Sequence, residues 1–128
     1  MSFFKTIFGD SNDETSSPKM NWRLLTDEQQ IEEMVEISND QVVIIFKHST
    51  RCSVSRMVLK QFEKEFDLED KIVPYFLDLL EYRALSNAIA SRFDVVHQSP
   101  QILVIKSGVS VYDASHSDIS AAELKNYL

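Results

Sequence analysis

Gln41-Val42-Val43-Ile44-Ile45-Phe46-Lys47-His48-Ser49-Thr50-Arg51-Cys52-Ser53-Val54-Ser55-Arg56-Met57-Val58-Leu59-Lys60-Gln61-Phe62 changes its hydrophobic pattern once, near Cys52. Before the change, Val42 to Phe46 is an unbroken β-branched and aromatic run. That pattern suits a strand covered on both faces, as in a parallel sheet. After it, Val54, Val58, Phe62 and Phe66 recur every four residues along one face of a helix. Cys52 is the chain's one cysteine, and it stands where the strand gives way to the helix. A lone cysteine is often no more than a small buried hydrophobe. At a strand-to-helix junction it points to redox chemistry instead.

Working outward, strands and helices alternate. Asn21 to Leu25 reads as a short first strand. Thr26-Asp27-Glu28-Gln29 has the form of a capping box, a hydroxyl followed three residues later by Glu or Gln. It predicts a helix over 27–38, lined by Ile31, Met34 and Val35. Ile72 to Leu79 is a second apolar run. Pro74 has no N–H to give to a ladder, so regular pairing is expected only from about Tyr75. Arg83 to Phe93 is helical by spacing, with Leu85, Ala88, Ile89 and Phe93 on one face. Gln101–Lys106 and Val109–Tyr112, joined by the two-residue turn Ser107-Gly108, form a hairpin. Ser120-Ala121-Ala122-Glu123 is a second capping box, opening a final helix with Leu124, Tyr127 and Leu128. The order implies an α/β fold: a mixed central sheet with a parallel βαβ part and a C-terminal hairpin, flanked by helices. Residues 9–19 are polar and rich in turn formers, so residues 1–20 are expected to form a flexible segment and 21–128 the domain. The cluster Phe3, Phe4, Ile7 and Phe8 reads equally as a docking segment or a frayed tail.

Composition excludes several functions. A net charge of −7 over 128 residues disfavours nucleic acid, whose binding needs basic patches. No apolar run reaches the roughly 18 residues of a membrane span. The N-terminus lacks the features of a secretory signal, so a reducing cytoplasm is expected. The only glycines, Gly9 and Gly108, cannot build a dinucleotide fingerprint or a phosphate loop. Val58, not Arg, stands six residues after Cys52, which excludes a cysteine-phosphatase loop. Cys52, His48, His97 and His116 lack structural zinc spacing, and no metal is expected.

With a cysteine after the second strand and a proline just before the hairpin, this order resembles the thioredoxin fold over about residues 21–128. More narrowly, Phe46-Lys47-His48-Ser49-Thr50-Arg51-Cys52-Ser53-Val54-Ser55 with Ser99-Pro100-Gln101 resembles the YtxJ family. Those are monothiol bacilliredoxins, bacterial proteins of the bacillithiol system. Ala114-Ser115-His116 and Asp118-Ile119 resemble that family's stretch before its last helix. One position departs: Ser53 stands where the family has Pro.

In such a fold Cys52 would sit at a helix N-terminus, where unpaired N–H groups and the helix dipole favour the thiolate, the nucleophilic form. The N–H groups of residues 54 and 55 and the Ser55 hydroxyl are candidate donors to the sulfur. Arg51 and His48 are candidate sources of positive charge. Each has a plainer reading too: a helix-cap residue for Ser55, a solvated loop charge for Arg51, a solvated strand end for His48. With Ser55 in the second position no resolving thiol exists, so any cycle is monothiolic. The resemblance implies a small thiol co-substrate, bacillithiol, with no bound cofactor, and S-thiolated proteins as clients. It also makes Pro100 a cis proline facing the thiol, with Ser99 pairing to an extended substrate and Gln98 and Gln101 touching its polar groups. The competing expectation is a thioredoxin-like binding or redox-sensing module without turnover.

Overall fold

A computed structural model describes residues 20–128. Its elements are β1 (Arg23–Leu24), α1 (Gln29–Ile37), β2 (Val42–His48), α2 (Ser53–Glu65), β3 (Ile72–Asp78), α3 (Arg83–Phe93), β4 (Gln101–Lys106) and β5 (Val109–Ser115). Two 3-10 turns follow, His116–Asp118 and Ala121–Tyr127. The strands form one sheet in the order β1-β3-β2-β4-β5. β3 runs parallel to both β1 and β2, while β4 is antiparallel to β2 and to β5. This is the mixed sheet the sequence implied, with α1 and α3 on one face and α2 and the C-terminal turns on the other.

β2 lies at the centre, and all seven of its residues are buried. Strand parity sends its side chains to two cores. Val43 and Ile45 meet Met34 of α1 and Leu85, Ile89 and Phe93 of α3. Val42, Ile44 and Phe46 meet Phe62 and Phe66 of α2 and Leu124 of the final turn. Trp22 closes the second core, 5.9 Å from Phe46 and 6.1 Å from Phe62 between ring centroids. Its indole N–H donates to Glu63 at 2.7 Å. Met20, the one described residue of the expected N-terminal segment, is buried in this core. The rest of that segment, with its Phe cluster, lies outside the described residues.

Several local expectations are corrected. Thr26 and Gln29 form no capping box, and α1 starts at Gln29. Gln30 Oε1 instead accepts from the N–H groups of Thr26 and Asp27, at 2.7 and 3.0 Å. Asp27 Oδ1 accepts from Gln29 N–H at 2.7 Å. Ser120 likewise makes no side-chain cap, and the closing segment is a 3-10 turn, not an α-helix. Pairing in β3 starts at Ile72, before Pro74. Leu25 N–H donates to Phe76 O, so the even residues of β3 turn their backbone groups toward β1. Pro74 shares that parity, and its missing N–H falls where β1 has not yet begun. At the hairpin, Ser107 and Gly108 both take positive φ, 50° and 81°, the geometry of a type I′ turn. Ser38 holds this turn to α1, its carbonyl and hydroxyl accepting from Ser107 and Gly108 N–H at 2.8 and 2.9 Å.

Candidate functional site

Cys52 is the N-cap of α2, with φ −101° and ψ 120°. Its N–H donates to Ser49 O at 3.2 Å, and its carbonyl accepts from Arg56 N–H at 3.1 Å. The loop from Ser49 to Cys52 is therefore a closed turn that delivers the thiol to the first turn of a thirteen-residue helix. The side chain is partly exposed, and no hydrogen bond from a helix N–H reaches Sγ. What surrounds the sulfur is the positive end of the helix dipole and the loop itself.

Ser55 is bonded through its hydroxyl to His48 and Ser49, not to the thiol. Its side chain is fully buried, its oxygen lies 2.8 Å from His48 Nδ1, and it accepts from Ser49 N–H at 3.1 Å. The hydroxyl thus bridges Ser49 N–H and His48 Nδ1. The expected bond from Ser55 to sulfur is replaced by a strut between strand end, loop and helix.

His48 is buried at 5% exposure, packed 5.5 Å from the Phe76 ring. Burial pushes its pKa down, Asp78 opposes that, and Arg56 adds to it. Burial thus works against His48 as the source of positive charge that the sequence suggested. Arg51 is exposed on the loop. The residue that braces this turn is Arg56, whose guanidinium donates to Thr50 O at 3.0 Å. The sequence reading passed over Arg56, although its i+4 spacing puts it on the same helical row as Cys52.

The other wall comes from the segment entering β4. Lys47 pairs with Gln101 across β2 and β4, which brings Ser99 and Pro100, just before β4, to the end of the sheet where β2 leads to Cys52. The Ser99–Pro100 peptide is cis. Pro100 O accepts from His116 N–H at 2.9 Å, and the Ser99 hydroxyl is buried without a partner. Gln101 is buried at 1%, and its amide donates inward to Val96 O at 2.9 Å. It shapes the loop and has no reach to a substrate, whereas Gln98 is exposed. The structure therefore brings Cys52, His48, Ser55, Ser99 and Pro100 to one end of the sheet, with Arg51 at its rim.

An open groove of about 510 Å³ runs beside α2, lined by His48, Ser53, Arg56, Leu59 and Lys60. A second, of about 470 Å³, lies on the helix's other flank against Ser117 and Ile119. Met57, exposed at 71%, forms part of both. Among the described residues no helix is long and apolar enough to cross a membrane.

Comparison with known proteins agrees with this geometry. The family model described as monothiol bacilliredoxin BrxC matches residues 23–124. A solved structure described as a thioredoxin-fold protein and candidate oxidoreductase is 31% identical. It covers 80% of this chain and 89% of its own, at a TM-score of 0.69. Thioredoxin of Malassezia sympodialis is 19% identical with a TM-score of 0.64, covering 91% of this chain and 95% of its own. Thioredoxin O2 of Arabidopsis thaliana is 17% identical with a TM-score of 0.61, covering 83% and 90%. The last two likenesses speak to the fold.

Proposed function

Because this chain belongs to the monothiol bacilliredoxin family, we propose that it reduces mixed disulfides between client proteins and a low-molecular-weight thiol, with Cys52 as nucleophile. The observation that carries this reading is the place of the one cysteine: partly exposed, at the N-cap of α2, where the central buried strand ends.

The cycle balances without a bound cofactor. Cys52 thiolate attacks the small-thiol sulfur of the client's mixed disulfide. The bond to the client sulfur breaks, and the client leaves as a thiolate that takes a proton from water. The small thiol is now disulfide-bonded to Cys52. A second small thiolate attacks that bond, leaves as the symmetrical disulfide and returns Cys52 thiolate. Ser55 has no sulfur to shorten the cycle. Family membership favours bacillithiol as the small thiol, S-thiolated bacterial proteins as clients, and the cytoplasm as the compartment.

The resemblance suggests Ser99 and Pro100 as the client-binding edge, and their position just before β4, whose Gln101 pairs with Lys47 of β2, supports that role. Ser99 enters none of the loop or cap backbone bonds, which leaves its backbone for an extended client strand. Arg51 stays a candidate for electrostatic support of the thiolate from the loop. A second reading, a binding or redox-sensing module without turnover, draws on the absence, among the described residues, of a side-chain cap bond to Sγ.

Intact-mass measurement separates the two. The protein is incubated with a bacillithiol-modified client, then with excess bacillithiol. Turnover predicts transient addition of one bacillithiol to Cys52, release of the client thiol, and accumulation of oxidised bacillithiol. A stable adduct that a second equivalent never clears would support the sensor. Absence of any adduct at Cys52 would sink both readings.

A further inference from the structure

Lys47 is 0% exposed at the end of β2. Its ammonium donates to Ser86 O at 3.2 Å and meets His97 Nδ1 at 3.4 Å. Ser86 Oγ lies 3.1 Å from the same Nδ1. An ammonium has only protons to give, so Nδ1 accepts and the His97 ring carries its proton on Nε2. No carboxylate joins the cluster: among the described residues the one ion pair is Arg92–Glu32. The other charge acting on His97 is Arg83, of the same sign.

A buried ammonium without a counter-charge is costly. Every other residue from Val42 to Phe46 is apolar, and an apolar side chain would fill this place at lower cost. Stability does not account for Lys47. Its contacts suggest what does. They join three pieces: β2, which leads to Cys52; the first turns of α3, through Ser86; and the segment between α3 and β4, through His97. That segment contains Ser99 and ends on Pro100. It starts at Asp94 in a left-handed conformation, φ 56°, and Val96 within it is 81% exposed. Val95 packs against the core from this segment. Gln101, the register partner of Lys47, ties Val96 O from the same side, and its own Oε1 is buried without a partner.

We propose that Lys47 is a positioning residue for client binding: through His97 it fixes the 94–100 segment, so that the Ser99 edge beside Cys52 is set before a client strand arrives. This rests on the function proposed above. Lys47 touches neither thiol nor client. It lowers the ordering cost of the edge that does.

The test is Lys47→Met, which fills the site without the charge, compared with wild type in three measurements. KM for a bacillithiol-modified client is expected to rise about tenfold, the order given by loss of one charge-assisted hydrogen bond. The rate at which Cys52 reacts with iodoacetamide is expected to stay within about twofold, since that reagent needs no edge. By NMR the His97 titration is expected to move upward, and amide exchange over 95–99 to accelerate. His97→Ala, which leaves Lys47 bonded to Ser86 O, is expected to give the same KM rise, and it serves if Lys47→Met does not fold. Unchanged KM in a folded variant, or unchanged 95–99 exchange, overturns the proposal. If the wild type itself does not turn over, the functional reading fails, while the exchange measurement still decides the role of Lys47.

Discussion

Ser55→Ala tests where the Ser55 hydroxyl acts. In the structure it serves His48 Nδ1 at 2.8 Å and Ser49 N–H at 3.1 Å, with no exposure to solvent. Alanine removes both bonds and leaves two polar groups without partners. A buried orphan costs about 1–3 kcal/mol. His48 is almost fully buried and bears the full penalty; Ser49 is half-buried and regains part of its bond from water. The lost oxygen leaves a gap smaller than a methyl group, which adds little. The expected loss is about 2 kcal/mol, or roughly 10 °C in Tm for a domain of this size. Urea unfolding should show a lower midpoint at unchanged slope. The alkylation rate of Cys52 at pH 7 should change by less than about twofold, because the hydroxyl is bonded to His48 and Ser49 and makes no hydrogen bond to Sγ. Stability within about 0.5 kcal/mol of wild type, coupled with a large fall in alkylation rate, would refute this reasoning. It would put the hydroxyl back on the sulfur.

Burial holds the Lys47 pKa near 8 instead of 10.5. The unfolded chain therefore binds more protons between those values, and stability should rise with pH across that window. Relative to Lys47→Met, which cancels the other titrations, the gain should be about 1–2 kcal/mol after solvent screening; a flat difference would refute it. Ser53→Pro should stabilise α2 by about 0.4–1 kcal/mol, because Cys52 already has the extended backbone a following proline requires; thermal denaturation checks this. Cys52→Ser should abolish every adduct in the mass spectrum while leaving Tm within about 2 °C, since the partly exposed thiol makes no side-chain cap bond. Ser55→Cys supplies the missing resolving thiol, and non-reducing mass analysis should show the bacillithiol adduct replaced by an internal disulfide.

The fold was legible because its signals are local. The apolar run Val42–Phe46, the four-residue spacing in α2 and the Ser107-Gly108 turn each depend on neighbours in sequence. The thiol's position followed from the junction between two such signals. Its surroundings were not legible, because they depend on which residues meet across the sheet. Ser55 stands three residues from Cys52, and sequence spacing suggested that they touch. The hydroxyl is instead buried, 2.8 Å from a histidine nitrogen seven residues away in sequence. Lys47 looked like the charged end of a strand. Only the β2–β4 register places it beneath the segment that contains His97.

One rule of strand geometry connects the parts that were missed. Successive side chains of a strand leave on opposite faces, so Lys47 and His48 at the end of β2 enter different cores. Each meets a serine of the helix on its own side. Lys47 reaches Ser86 of α3, and His48 reaches Ser55 of α2. Both helices are thus fastened by buried polar contacts to the strand end that presents the thiol. An apolar pair there would pack at lower cost but would define the angle of approach less sharply, since hydrogen bonds are directional and hydrophobic contacts are not. On the function proposed above, the sulfur would have to line up with a client disulfide without a second cysteine to correct a poor attack. For such chemistry a fixed angle at Cys52 is worth more than the stability given up at Lys47.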